Sequence, residues 1–262
     1  RERIEEGHHM HYLTIDNPDA TRPMMDVLRG LVGESGATDV RVQAPDEWRL
    51  DALFREAMDT WPDELGVSFS MDDTEHFLTS RTDLATHFEG KKQYLMESFY
   101  RMMRKRHDVL LDASGQPEGG KWNYDANNRK KLPKGHVPPA PYLWGRDVTI
   151  LHAELINAGV ETVGEVQPER FGWPVTREES LALLNIFVEE LLPRFGDFQD
   201  ALTEDSWTLY HSRLSFAMNV KMLNPKEVIA AVEQKWREDP THASIEQAEG
   251  FIRQILGWRE YM

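Results

Sequence analysis

Short β-rich runs alternate with helical periodicity along residues 1–90. The runs typical of strands cover residues 9–15, 39–43 and 66–71, and helical patterns lie between them at residues 24–32 and 47–58. Strands that alternate with helices of this length are typical of parallel β-α-β units. The pattern therefore predicts an α/β domain with a parallel, Rossmann-like sheet, which we expect to be truncated.

The loop after the second predicted strand is a possible edge of a binding site. It reads APDEW over residues 44–48. In parallel sheets, ligands lie beyond the carboxyl ends of the strands, which favours a binding role for this loop. The alternative is that Trp48 simply caps the core.

Residues 91–134 differ from the rest of the chain in charge. They carry a local charge of +6, although the whole chain of 262 residues has a net charge of −15. A charge run alone favours a solvated linker face, but aromatic residues beside the paired glycines of GGKWNYD (residues 119–125) favour phosphate contacts with base stacking. Both interpretations stay open on composition alone.

A proline-rich segment separates this basic stretch from a helical region. Four prolines within residues 133–141 predict an extended linker, so residues 91–145 are assigned to an interdomain connection. Capping boxes at Thr176 and Ser244, and a cap at Asn224 with proline at the first helical position, predict helices that begin after these residues. Residues 146–262 show no strand pattern and are predicted to form the first part of an all-α domain.

The last predicted helix has two apolar faces. One face contains Ile245, Ala248, Ile252, Ile255 and Leu256, and the other contains Phe251, Gln254, Trp258 and Tyr261. A helix that is apolar on both sides is expected to be buried. Its polar groups then need partners, either from a neighbouring helix or from a flat, polar, anionic cofactor.

Residues 210–216 contain two hydroxyl side chains, Ser212 and Ser215, with Arg213 between them. Hydroxyls and a guanidinium that lead into a helix can hold a phosphate. The same pattern also occurs in a simple helix cap, and the residues alone do not decide between the two.

Composition excludes several kinds of site. The chain has no cysteine, so these residues contain no disulfide, no thiolate metal site and no cysteine nucleophile. Phosphate-binding loops, zinc-protease motifs and serine-hydrolase elbows are absent, and His8, His9 and His11 have no carboxylate at ligand spacing. We expect no metal site here. No apolar stretch is long enough to span a bilayer, and we expect a soluble, cytoplasmic protein.

The chain begins at Arg1, and helical periodicity continues to Met262. We therefore expect a fragment of a longer protein.

Several motifs resemble a known family. HSRLS at residues 211–215, followed by FIRQILGWREY at 251–261, resembles the flavin-binding core of the photolyase and cryptochrome superfamily. GGKWNYDANNR (119–129), FGWPVTR (171–177), FGDFQDA (195–201) and EGFIRQILGWREYM (249–262) resemble its bacterial iron–sulfur branch, the deoxyribodipyrimidine photolyase-related proteins. Four motifs in the same order make the resemblance specific.

The resemblance implies a light-driven enzyme that uses FAD to repair pyrimidine dimers in DNA, with (6-4) photoproducts as the expected lesion. It implies that Ser212, Arg213, Leu214 and Ser215 hold the FAD phosphates. Gln254 would contact the flavin, with Arg259 nearby, and Trp258 would line the cavity. Contacts with DNA are expected from the basic segment: Arg101, Arg104, Lys105, Lys121, Trp122 and Tyr124.

Other features of the family are expected outside these residues. They are the catalytic residues, the lumazine-type antenna chromophore and the cysteines of a [4Fe-4S] cluster. We expect a monomer whose partner is damaged DNA, and we expect the fragment alone to be inactive. A blue-light photoreceptor that signals through a partner protein is the alternative, and an isolated fragment that binds nothing is a further possibility.

Overall fold

The computed structural model describes residues 7–74 and 76–262, and helices make up most of its regular structure. The two strands are β1 (Asp39–Gln43) and β2 (Ser68–Asp72). In chain order, the α-helices are α1 (Met24–Ser35), α2 (Trp48–Leu65), α3 (Asp83–Phe88), α4 (Met96–His107), α5 (Thr149–Asn157), α6 (Arg177–Ile186), α7 (Leu192–Phe198), α8 (Ser215–Asn219), α9 (Pro225–Glu238) and α10 (Ile245–Ile252). π-Helical segments follow α6 at Phe187–Leu191 and α10 at Arg253–Arg259.

These elements belong to two units, each with its own core. The first contains the described residues up to 74 together with residues 145–171, and the second contains residues 76–144 and 172–262. This division differs from the predicted segments 1–90, 91–145 and 146–262, which remain a prediction about the domains of the whole protein.

The first unit is built on a parallel strand pair. β1 and β2 pair in register from Asp39 opposite Ser68 to Gln43 opposite Asp72, and α2 connects them along the chain. Val40 and Phe69 are buried with Trp61 of α2 in one apolar cluster. The predicted parallel β-α-β unit is confirmed here, and the described residues contain no further strand in this sheet.

Two sequence predictions for this unit need correction. Residues 9–15 were predicted to form a strand, but the structure gives them no regular secondary structure, and most of their side chains are exposed. A strand pattern stabilises a strand only where one face is buried against neighbours. Trp48 is 80% exposed at the start of α2, so it does not cap the core.

The second unit has a large helical core to which the basic segment contributes a whole helix. Phe99, Tyr100 and Met103 of α4 are fully buried and belong to the same cluster as Phe187 and Leu256. The segment assigned to an interdomain linker is therefore partly a core element. The apolar residues of α4 recur at helical spacing and form one face of the helix. A count of charges does not show this, because most of the charged residues lie on the opposite face.

Helix starts agree with the predicted caps to different degrees. Asn224 forms a complete capping box, since its side chain accepts from Lys226 and its own N–H donates to Glu227. Thr176 accepts from the N–H of Glu179, at 3.2 Å. The Ser244 side chain makes no capping bond, so the capping box predicted there is wrong. Residues 133–141 have no helix or strand, as their prolines predict.

None of the helices in the described part of the chain has the length and apolarity needed to cross a membrane.

Candidate ligand cavity and basic surface

A cavity of about 490 Å³ lies in the second unit, between the segment around α8 and the last helix of the chain. The last helix is α10 together with the π-helical segment that follows it. All seven residues that the sequence resemblance assigns to a cofactor line it: Ser212, Arg213, Leu214, Ser215, Gln254, Trp258 and Arg259. The structure therefore brings together two motifs that are about forty residues apart in the sequence.

The last helix provides one wall of this cavity. The wall includes Phe251, which is buried, Gln254, which is half-buried, and Trp258, which is 39% exposed. These are three of the four residues predicted on the second apolar face. The fourth, Tyr261, donates its hydroxyl to the carbonyl oxygen of Tyr94 at 2.7 Å and packs in a different place. The π-helical turn from Arg253 onward changes the helical spacing, which a regular α-helical pattern does not predict.

The HSRLS segment forms the opposite wall. The helix predicted after this segment is α8, which begins at Ser215 and has only five residues. Leu214 is fully buried, and its side chain belongs to the hydrophobic core of this unit. What Leu214 can offer a ligand is therefore its backbone. Ser212 and Ser215 bring two hydroxyl groups to the cavity lining, beside His211 and Arg213 of the same segment.

His211 and Phe195 also line the cavity, and the sequence reasoning assigned no role to either side chain. Their rings meet edge to face, with centroids 5.8 Å apart. Desolvation lowers the pKa of His211, which favours the neutral imidazole. The sequence contains only a weak indication that these two residues belong to the site. His211 is the first residue of the HSRLS motif, and Phe195 is the first residue of FGDFQDA.

Both arginines assigned to the cofactor are already engaged by the protein. The guanidinium of Arg213 lies over the rings of Trp173 and Trp207. Arg259 lies 4.2 Å from the ring centre of Phe77 and makes an ion pair with Glu260 at 3.0 Å. Both guanidinium groups are therefore already held by other groups of the protein.

Glu260 fixes the chain segment next to Arg259. Its side chain is fully buried and accepts from the backbone N–H groups of Leu78 and Thr79, at 2.7 and 3.0 Å. Burial raises the pKa of Glu260, although these hydrogen bonds and Arg259 act in the opposite direction. The end of the last helix is thereby attached to residues 78–79.

The basic surface centres on α4. Arg101 and Lys105 are exposed and line a shallow groove along this helix. Both cations lie over the ring of Trp122, at 5.8 and 5.3 Å from its centre. Lys121, which precedes Trp122 in the chain, is also exposed. Four of the six residues predicted to contact DNA are therefore at least partly accessible.

The other two predicted DNA contacts are not accessible. Arg104 is fully buried, and its guanidinium donates to the carbonyl oxygens of Val109, Leu110 and Trp122. Tyr124 is also buried, and its hydroxyl donates to the carbonyl oxygen of Glu118 at 3.2 Å. Both side chains are used to hold the fold, because a buried polar group must be satisfied within the protein.

The sequence model of the deoxyribodipyrimidine photo-lyase-related protein family matches residues 1–171. The chain belongs to this family. It is also 32% identical, over 98% of its length, to a protein of Agrobacterium fabrum named (6-4) photolyase, of which it covers 49%. A shorter match, 30% identical over 88 residues, links it to an uncharacterized protein of Acanthamoeba polyphaga mimivirus, with 32% of this chain and 44% of that protein covered. The chain thus spans about half the length of the curated relatives it matches.

Two motifs that suggested this photo-lyase-related family interlock in the second unit. Asp125, from the GGKWNYDANNR motif, makes an ion pair with Arg253 of the last helix at 2.8 Å. Glu249 of that helix accepts from the backbone N–H of Tyr124 at 3.0 Å. These residues hold the wall of the cavity from behind. Part of the motif is therefore explained by structure and not by contact with a ligand.

The cavity suits a flat aromatic molecule with polar edges. Phe195, Phe251 and Trp258 supply ring surfaces, and the side chains of Ser212, Ser215 and Gln254 supply hydrogen-bond donors and acceptors. These are the chemical features that the flavin and phosphate parts of FAD require. Within residues 7–74 and 76–262, His, Asp and Glu side chains form no group of three or more that could hold a metal ion.

Proposed function

We propose that the complete gene product containing this chain is a light-driven, FAD-dependent enzyme that repairs pyrimidine dimers in DNA, with (6-4) photoproducts as its lesion. The observation that carries this proposal is that one cavity is lined by all seven residues that the resemblance assigns to FAD. The identity of 32% to a protein named (6-4) photolyase, over almost the whole chain, supports the choice of lesion.

In this proposal the residues of the cavity bind and orient the cofactor. Ser212 and Ser215 donate to phosphate oxygens, and Gln254 bonds the polar edge of the flavin. The side-chain amide nitrogen of Gln254 donates to the side-chain amide oxygen of Gln199 at 3.4 Å, and this hydrogen bond orients Gln254. When bound, FAD supplies the light-excited electron transfer to the lesion. The rings of Phe251 and Trp258 exclude water from one side of the cavity.

DNA is the proposed partner, and the exposed part of the basic surface is its contact. Arg101, Lys105 and Lys121 would neutralise phosphates. The ring of Trp122 would hold Arg101 and Lys105 in place through cation–π contacts. Arg104 and Tyr124 have no part in this contact, because both are buried.

The remaining expectations concern the whole protein. We propose that it is a cytoplasmic monomer that also carries a lumazine-type antenna chromophore and a [4Fe-4S] cluster outside the residues described here. Gel filtration with light scattering, a fluorescence excitation spectrum and iron and sulfide analysis test these points one by one.

The test of the main proposal uses the purified complete gene product. We expect it to be yellow, to release FAD on denaturation, and to repair an oligonucleotide that contains one (6-4) photoproduct under blue light. A colourless protein that does not take up added FAD would contradict the cofactor proposal. A yellow protein that repairs neither (6-4) photoproducts nor cyclobutane dimers would contradict the repair proposal and favour the photoreceptor alternative.

Site variants connect this activity to the cavity. We expect Ser212→Ala and Gln254→Leu each to weaken FAD binding by about two- to tenfold, which corresponds to the loss of one hydrogen bond. Ser244→Ala is the matched control, since Ser244 is exposed in the same unit and its side chain makes no capping bond. Equal FAD affinity in all three variants would remove these residues from the site.

A further inference from the structure

Arg213 carries the positive charge of the HSRLS motif, yet its guanidinium is held by other parts of the protein. It lies 5.5 Å from the ring centres of both Trp173 and Trp207. It also donates a hydrogen bond to the carbonyl oxygen of Tyr142. These three partners belong to three separate segments without regular secondary structure. One side chain therefore ties three loops together.

The backbone of Arg213 gives a second reason to treat it as a structural clamp. Its φ is +57°, in the left-handed region that side chains with a Cβ adopt at a cost of roughly 1–2 kcal/mol. Such a conformation persists only when the surroundings hold it in place. Residue 213 is not a glycine, so its left-handed conformation is strained. The contacts of the guanidinium stabilise this conformation.

The aromatic partners of Arg213 do not themselves border the cavity. Trp173 and Trp207 are absent from the described residues that line it, while Ser212, Leu214 and Ser215, next to Arg213 in the chain, are part of its wall. Trp173 also packs against Phe216, with ring centroids 5.7 Å apart, and so supports the first turn of α8. Arg213 thus connects the wall of the cavity to aromatic side chains that lie outside its lining.

We propose that Arg213 is a positioning residue that fixes the Ser212–Ser215 turn through Trp173, Trp207 and Tyr142, and that it does not bind the cofactor phosphate directly. The proposal rests on the proposed flavin site. It corrects the expectation from the resemblance that the guanidinium of Arg213 holds a phosphate.

The two roles differ in how they respond to substitution at Trp207. If Arg213 acts through its clamp, Trp207→Leu alone should weaken FAD binding by about tenfold, as Arg213→Gln does, and the double variant should be no weaker. Arg213→Lys should rescue binding poorly, because an ammonium lacks the planar face and the forked donors of a guanidinium. Tyr12→Leu and Arg170→Gln are the controls, since both side chains are exposed in the first unit.

A direct phosphate contact would give the opposite pattern. Arg213→Lys would then keep most of the affinity, Trp207→Leu would bind FAD like the unmodified protein, and the loss in Arg213→Gln would shrink at high ionic strength. This set of results would overturn the proposal. Affinities are measured by isothermal titration of flavin-free complete gene product with FAD, after circular dichroism confirms that each variant is folded.

A measurement without any flavin separates this proposal from the proposed function. We expect Arg213→Gln and Trp207→Leu to speed hydrogen exchange of the backbone amides at residues 212–215 to the same extent in the flavin-free protein. Unchanged exchange in both variants would overturn the clamp even if FAD binds. If the unmodified protein binds no FAD but exchange rises as expected, the clamp stands and the flavin function fails.

Discussion

The side-chain amide of Asn128 donates to the backbone carbonyl oxygen of Glu246 at 2.9 Å. Asn128 is fully buried, and it lies where α7 and α10 meet through two glycines, Gly196 and Gly250. A Cβ added at Gly250 would lie 2.7 Å from the amide nitrogen of Asn128, and one added at Gly196 would lie 3.0 Å from it. The glycines therefore make room for a polar side chain that joins the family motif to the last helix.

Gly250→Ala is expected to destabilise the protein. The added methyl group must displace Asn128 from the carbonyl of Glu246, and overpacking of this kind costs about 1–3 kcal/mol. The better helix propensity of alanine offsets only part of this, roughly 1 kcal/mol. The free energy of unfolding from urea titration measures the effect.

Gly33→Ala is the matched control for this prediction. Gly33 lies within α1, and an added Cβ there would meet no atom within 4 Å. That variant should be slightly more stable than the unmodified protein. Equal changes at Gly250 and Gly33 would show that Asn128 does not need the space.

Glu249 is expected to make the stability of this protein depend on pH. Burial raises its pKa, while Arg253, at 3.3 Å, and the N–H of Tyr124 oppose the shift. As pH rises through the ordinary range of a glutamate, the unfolded chain ionises before the folded one. Stability from this group is therefore present at low pH and is lost as pH rises through the folded pKa.

Glu249→Gln removes this titration. The free energy of unfolding of the variant should improve relative to the unmodified protein as pH rises from 4.5 into the neutral range. Chemical denaturation at pH 5, 6, 7 and 8 measures the difference. Glu190→Gln changes an exposed glutamate in the same unit and should follow the unmodified protein. A constant offset for Glu249→Gln across this range would rule out the effect.

Strand pairing and helix caps were predictable where the pattern was local. Residues 39–43 alternate in burial and pair as expected with β2, whereas residues 9–15 have the same β-rich composition but no buried face. Asn224 closes its own capping box within four residues. At Ser244 the expected partner, Gln247, donates instead to Asp197, a residue fifty positions away. Competition from a distant side chain cannot be read from a local motif.

The cavity was predictable only through motifs, and the fate of individual side chains in it was not. The resemblance grouped Ser212 with Gln254, and the structure brings both to one cavity. It did not show that the guanidinium of Arg213 lies over the rings of two tryptophans. That distinction depends on loops that meet only in the folded chain.

Arg104 and Arg101 lie on the same helix, α4, but one is buried and the other is exposed, which the sequence alone does not show. Substitutions at the two positions test this difference. Arg104→Met should destabilise the protein by on the order of 3 kcal/mol or more, because three buried carbonyl groups lose a charged donor. Arg101→Met, one turn earlier, should change stability by less than about 1 kcal/mol, since its ion pair with Glu97 is exposed. Thermal unfolding of both variants compares them, and similar melting temperatures would contradict the buried role of Arg104.

The exposed cations of the basic surface should control DNA affinity without affecting stability. Arg101→Ala, Lys105→Ala and Lys121→Ala in the complete gene product should each weaken binding to a damaged duplex. Each should also reduce the slope of log Kd against log salt by about 1, because one phosphate contact and its released counterions are lost. Lys226→Ala, an exposed lysine at the start of α9, should keep the original slope. Fluorescence anisotropy between 50 and 200 mM salt measures these slopes, and unchanged values for all three variants would return this surface to a solvated face of α4.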